Sequence, residues 1–383
     1  MDSKLPNVGT TIFAIMSQLA EDCDAINLSQ GFPGFEPDQE LLDLVSHYLN
    51  AGVNQYAPMV GVPSLRDAIA DKVETLYGRS VDPDTEVTVC DGATEGLFSA
   101  IQAIVHPGDE VIVFDPAYDS YEPAVSLAGG RTLHLPLVRS DHDPDFHIDW
   151  QQVADSITDR TRLIVVNSPH NPTGAILKPE DLDALADMVR DTSVYLLSDE
   201  VYEHIIFDGA EHESLLKHEE LWPRTFVISS FGKTYHATGW KVGYCVAPAA
   251  LTVEFRRVHQ FTCYAVIRPV QHALADYMNK TPNHYRELPT FYEARRDRFC
   301  NLLRDSRFDF TPAHGTFFQM LDYSGITEED DVSYARRLTR EIGVASIPVS
   351  VFCAEKPATR QLRFCFAKDD DTLTEAAERL CRL

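Results

Sequence analysis

The chain has 383 residues, 44% of them hydrophobic and 24% charged, with a formal net charge of −26. The length exceeds what one hydrophobic core usually organises, so two domains are expected, and the apolar content excludes a disordered chain. The acidity, with no basic patch to interrupt it, excludes nucleic acid and anionic membranes as partners.

Eight cysteines, at positions 23, 90, 245, 263, 300, 353, 365 and 381, are scattered and form no C-x-x-C pair. That pattern argues against a disulfide or zinc framework and for a reducing, cytoplasmic setting. Met1 to Gly9 lacks the apolar core of a signal peptide, and no run approaches the roughly 20 apolar residues that span a bilayer. His212-Glu213 and His218 are too widely spaced for H-E-x-x-H, so no metal site is inferred. Asp141-His142-Asp143 with Asp145 reads as a solvated acidic loop.

In chain order, an N-terminal arm carries a helical patch from Thr10 to Ala20, and Ser29 to Gly34 is a loop rich in glycine and proline. Helical spacing follows over Pro37–Leu49, then a loop at Asn54 to Pro58. From Val62 helices and strands alternate. Helix Pro63–Tyr77 precedes strand Val87–Cys90, the turn Asp91 to Thr94 and helix Glu95–Val105. Strand Val111–Phe114, helix Tyr121–Ala128 and strand Arg131–Pro136 come next. Helix Trp150–Ser156 leads to strand Arg162–Asn167, and helix Pro179–Arg190 to strand Val194–Ser198. Strands Phe226–Ser229 and Val242–Ala247 complete the series. This alternation predicts an α/β fold with a mostly parallel central sheet covered by helices on both faces.

One long helix is expected from Ala249 past Pro269 to Met278. The rhythm then changes to helix Tyr285–Leu303, strand Phe317–Asp322, helix Val332–Glu341, strand Leu362–Phe366 and helix Thr372–Leu380. The resulting division is an arm at 1–35, a large domain at 36–278 and a smaller α+β domain at 279–383 that the arm joins.

Chemistry is expected at the carboxyl ends of the parallel strands, where open α/β sheets bind ligands. Gly92-Ala93-Thr94 would bring backbone N–H groups and a hydroxyl to a helix start, a ready anion site. Asn167-Ser168-Pro169-His170-Asn171-Pro172-Thr173-Gly174 has a fixed backbone that either presents the Asn171 amide or serves as a structural turn. Asp199 ends an apolar strand, where an unpartnered carboxylate is costly, and so calls for a cation. Lys233, in Ser229-Ser230-Phe231-Gly232-Lys233-Thr234, lies among Phe231, Tyr235 and Trp240. From these residues alone it is either a desolvated, reactive amine or a loop lysine. Gly232-Lys233-Thr234 also matches the tail of a nucleotide-binding loop, but Val227 stands where that pattern needs glycine.

Taken together, these stretches resemble the class I pyridoxal-phosphate-dependent aminotransferases of fold type I, specifically the kynurenine and methionine aminotransferase branch. The resemblance runs from Gly9 to Leu383. It is carried by Asn-Pro-Thr-Gly at 171–174, Ser-Asp-Glu-Val-Tyr at 198–202, Ser-Ser-Phe-Gly-Lys-Thr-Tyr-His at 229–236 and the arginine strand at 362–366. Asn54 to Met59 and Gly239 to Tyr244 are similar to the methionine-specific members.

The resemblance implies pyridoxal 5′-phosphate as cofactor. Lys233 would carry it as an imine and then act as the base that moves the substrate proton, and Asp199 would keep the ring nitrogen protonated. Tyr202 and Asn171 would hydrogen-bond the ring's 3′-oxygen, and Tyr118 would stack on its face. Ala93, Thr94, Ser230 and Lys241 would hold the phosphate, with Tyr56 reaching in from the other subunit of a homodimer. Lys241 replaces the arginine of many relatives, keeping the charge but losing a bidentate fork. Arg363, by alternation opposite Leu362, Phe364 and Phe366, reads by itself as a solvent-facing strand arginine. In the family's pattern it grips the substrate α-carboxylate, assisted by Gly31 and Asn171. Phe13, Tyr264 of the other subunit, Phe317 and Phe352 match positions of an apolar side-chain pocket suited to methionine and aromatic amino acids. Arg268 departs from the pattern, which has a small polar residue there.

The function implied is transfer of the amino group of such amino acids to a 2-oxo acid. A carbon–sulfur β-lyase on the same fold is the alternative. A non-catalytic, cofactor-binding regulatory domain would need an added DNA-binding segment, for which the chain before the arm is too short.

Overall fold

The computed structural model describes residues 2–140, 143–355, 357 and 359–383. Its centre is a seven-stranded sheet in the order Val87–Cys90, Gly243–Val246, Thr225–Ser230, Tyr195–Asp199, Thr161–Asn167, Glu110–Asp115 and Arg131–Pro136. Gly243–Val246 runs antiparallel to both neighbours, and the other pairings are parallel. The inner strands are near-continuous runs of Val, Ile and Leu because helices cover both faces, which leaves no polar side to alternate with. Two apolar clusters pack on this sheet from opposite sides: Leu97, Ile101 and Val125 belong to one, Leu182, Leu185 and Val189 to the other.

A second, antiparallel sheet has the order Phe318–Asp322, Gln361–Cys365 and Ile347–Pro348. The arm is fastened to this part of the molecule, since Ile26–Asn27 pairs in parallel with Val344–Ala345 and Met16 and Leu28 enter the same core as Phe364 and Leu373. Two-residue strands like these carry too little periodicity to be read from sequence.

Several boundaries differ from expectation in ways that bear on the site. The helix expected from Glu95 starts at Gly92, so Ala93 and Thr94 sit in its first turn. Lys233 belongs to a short helix, Phe231–Thr234, instead of a loop. The long helix breaks into Ala249–Thr262 and Arg268–Lys280. Tyr264 between them has φ +69, and Pro269 can neither donate to a preceding turn nor fit against its carbonyl. The acidic stretch is also different. Asp145 lies in a strand, Asp143–His147, that pairs with Val138–Ser140, and its carboxylate accepts from His314 Nε2 at 3.0 Å. Asp141 and His142 lie outside the described residues.

The turn after Asp199 is locked from behind by buried charge. Lys72 Nζ donates to Glu203 Oε1 at 2.7 Å and to the Tyr244 hydroxyl at 2.5 Å, while Tyr77 and Ser229 hydroxyls also donate to Glu203. This cluster joins the strand carrying Asp199 to the strand leading to Lys233. No helix among the described residues is long and apolar enough to cross a membrane. Replacing Lys72 with Met leaves the buried Glu203 carboxylate with hydroxyl donors but without its lysine, and should cost about 3–5 kcal/mol of stability in urea unfolding. A loss below about 1 kcal/mol would show that the pair does not hold the turn.

Candidate active site

Three neighbouring parallel strands end in Asn167, Asp199 and Ser230, and the helix from Gly92 begins beside them. A cavity of about 250 Å³ opens at this edge. Phe13, Gly31, Ala93, Thr94, Tyr118 and Asn171 line it, as do Asp199, Tyr202, Ser230, Lys233, Lys241 and Arg363.

Asp199 is 3% exposed, and desolvation pushes its carboxyl up to about 6. The Tyr121 hydroxyl donates to Oδ2 at 2.6 Å, whereas Oδ1 receives only a long 3.4 Å contact from the Val201 amide. The carboxylate therefore retains an under-used oxygen suited to a cationic N–H group. Asn167 fixes this corner by donating to the Asp199 carbonyl at 2.8 Å and accepting from the Asn171 amide at 2.9 Å.

Lys233 is pushed the other way. Burial lowers its amine to about 8, so a sizeable fraction is neutral and nucleophilic near that pH. Its Nζ donates to the Gly31 carbonyl at 3.1 Å and lies 5.5 Å from the centre of the Tyr202 ring and 5.4 Å from that of Phe317. Among the described residues no carboxylate forms an ion pair with it. A lysine and an aspartate thus face one cavity, each driven toward its neutral form by loss of water.

At the other end, the first-turn amides of the helix from Gly92 supply an anion site. Gly92 has φ +71, and a Cβ there would lie 3.1 Å from Lys241 Nζ, so glycine lets the ammonium close on the helix start. Lys241 itself is left-handed, with φ +55, which costs a non-glycine residue roughly 1–2 kcal/mol. Thr94 Oγ1 is 3.5 Å from the Tyr118 hydroxyl.

Arg363 is 1% exposed, which overturns the solvent-facing alternative. The strand Gln361–Cys365 is covered on both faces, Leu362 and Phe364 entering the core while Arg363 faces the cavity. Nη1 donates to Asn171 Oδ1 at 2.8 Å and Nη2 to the Ser29 carbonyl at 3.0 Å, and Nε has no partner. Phe318 lies 3.9 Å from the guanidinium carbon, with Phe13 at 5.2 Å and Phe352 at 5.7 Å. A buried fork with an unfilled N–H suits a carboxylate.

Four residues expected at the site, Tyr56, Tyr264, Phe317 and Phe352, do not line the cavity within one chain. Tyr56 and Tyr264 are 78% and 55% exposed, with ring centres 5.2 Å apart. Arg268 opens the helix Arg268–Lys280 with its Nε unpartnered, away from the cavity. Phe317 packs beneath Tyr202, and its neighbour Phe318 lines the cavity in its place. Tyr121, Gln30 and Phe318 were missed from sequence.

Residues 24–380 match the family model described as aminotransferase class I and II. The chain belongs to this family. It is 50% identical to methionine aminotransferase of Escherichia coli K12, over 100% of this chain and 98% of that one. It is 38% identical to a probable N-succinyldiaminopimelate aminotransferase of Mycobacterium tuberculosis, over 99% and 97%. The crystal structure of YbdL from E. coli, for which a methionine aminotransferase function was identified, superposes with a TM-score of 0.97 at 49% identity, covering 100% of this chain and 99% of that one.

The aminotransferase is therefore pyridoxal-phosphate-dependent, and its residues fit that cofactor: a desolvated amine for the aldehyde, a buried acid with a free oxygen for the ring nitrogen, and an amide-lined helix start with a lysine for the phosphate. The charge state of Asp199 yields a stability prediction. The unfolded chain loses this proton near the ordinary value of 3.8 and the folded one near 6. The native state binds more protons between these values, so stability falls as pH rises through this window and stays reduced above it. In the cofactor-free enzyme Asp199→Asn should raise the thermal midpoint at pH 8, by an effect on the order of 1–3 kcal/mol, and change little at pH 4. Equal effects at both pH values would contradict the buried charge.

Proposed function

We propose that this aminotransferase takes the amino group from L-methionine, and from related apolar or aromatic L-amino acids, and passes it to a 2-oxo acid. The likeness to the E. coli enzyme supports methionine as donor. So does the wall beside Arg363, where Phe13 and Phe318 offer the cavity aromatic surface that favours a thioether modestly, with Phe352 packed against Phe13.

On this reading Arg363 binds the substrate carboxylate, held in register by Asn171, and so fixes the α-carbon near Lys233. The Lys233 Nζ, once free, takes the proton from that α-carbon and holds it for the return step. When bound, pyridoxal phosphate supplies the electron sink for the pair left on the α-carbon, and Asp199 keeps the ring nitrogen cationic for that purpose. Tyr202 and Asn171 would hydrogen-bond the ring's 3′-oxygen, and Tyr118 would cover the ring. Ala93, Thr94, Ser230 and Lys241 would hold the phosphate.

The enzyme acts as a cytoplasmic homodimer in which Tyr56 and Tyr264 serve the partner's site. Their exposure, together with that of Phe261 at 87% and Ile267 at 50%, supports a covered face here. The division at residues 35 and 278 into arm, large domain and small domain belongs to the same proposal.

A panel of amino donors tests the reading, with kcat/KM expected to be highest for methionine and lower for glutamate and aspartate. A preference for dicarboxylic donors would overturn it. Arg363→Met should raise KM for every donor by roughly 10- to 150-fold, the equivalent of losing a charge-assisted contact of about 1.5–3 kcal/mol. An effect confined to one side-chain class would contradict a role at the shared carboxylate. Pyruvate release from a cysteine conjugate without any oxo acid would instead indicate β-lyase activity.

A further inference from the structure

Three cationic side chains converge on the carbonyls of one short loop. Arg363 Nη2 donates to Ser29 O at 3.0 Å, Lys233 Nζ to Gly31 O at 3.1 Å, and Lys368 Nζ to Phe32 O at 3.0 Å. Gln30 and Gly31 of this loop line the cavity, so the loop forms part of its wall. We propose that Lys368 is a positioning residue, the anchor that keeps this loop over the cavity during the reaction. The inference rests on the roles given above to Lys233 and Arg363.

The three contacts are not equivalent. A Lys233 amine bonded to the cofactor cannot direct an ammonium N–H at Gly31. Arg363 must share its fork with the substrate carboxylate. Only the Lys368 contact is independent of the chemistry. The Lys368 residue is 7% exposed, its ammonium lies 4.5 Å over the Phe32 ring, and among the described residues no carboxylate forms an ion pair with it. A buried cation given to one carbonyl and one ring costs desolvation energy that a surface lysine would avoid, so its charge is spent on the loop.

Packing reinforces the link. The Gly34 amide donates to the Ala367 carbonyl at 2.8 Å, next to Lys368, and a Cβ at Gly34 would lie 3.0 Å from Lys368 Cδ. At the other side of the loop a Cβ on Gly31 would lie 2.8 Å from the Phe318 ring. The loop is thus fitted closely to the Phe318 ring at Gly31 and lies against the Lys368 stem at Gly34.

The test is amide hydrogen exchange at residues 29–34, with the Gly34 amide as reporter. Wild type and Lys368→Met are each measured without cofactor, and again with pyridoxal phosphate plus 3-(methylthio)propionate, which carries methionine's carboxylate and side chain but no amino group. Without cofactor the variant should exchange within about two-fold of wild type, because Lys233 and Arg363 still hold the loop. In the loaded state it should exchange at least about ten-fold faster than wild type, and Lys368→Arg should restore protection. Equal protection in both states, or equal loss in both, would overturn the anchor. Peptide mass after borohydride reduction reports separately whether Lys233 carries the cofactor, so failure of that assignment is distinguished from failure of this one.

Discussion

The site depends on two opposite charges kept apart in a place with little water. Asp199 and Lys233 face the same cavity, and desolvation moves each toward its neutral form, the acid up to about 6 and the amine down to about 8. Had they touched, each would have satisfied the other and neither would be available. Instead Tyr121 holds one carboxylate oxygen and the Gly31 carbonyl holds the amine. What is left is an acid in need of a cation and an amine ready for an aldehyde, which pyridoxal phosphate supplies in one molecule.

The rest of the fold serves that separation. Parallel strands bring Asn167, Asp199 and Ser230 to one edge, and the buried Lys72–Glu203 cluster stiffens the turn behind them. The second sheet reaches across with Arg363, whose charge is tolerated in the interior because Asn171, Ser29 and three aromatic rings surround it. Substrate recognition and cofactor chemistry thus come from different parts of the chain, and the loop at 29–34 touches both.

Much of this was legible in the sequence because strand-end motifs are local. Asp199 and Lys233 stand beside apolar runs, and the helix start at Gly92 follows a strand. Helix boundaries were harder to read: the first turn at Gly92 and the short helix holding Lys233 are decided by tertiary packing, which overrides weak local propensity. Arg363 is the clearest limit. Alternation alone sends it to solvent, and only the covering of both strand faces by Phe13, Phe318 and the core shows otherwise. Tyr121 and Lys368 act over separations of 78 and 336 residues along the chain, distances at which spacing carries no signal.

The most direct test is the pH dependence of the reactivity of Lys233 in the cofactor-free enzyme, read by competitive acylation and peptide mass. Burial opposite Asp199 predicts a midpoint near pH 8. A midpoint at the ordinary lysine value, near 10.5, would show a solvated amine and contradict the account.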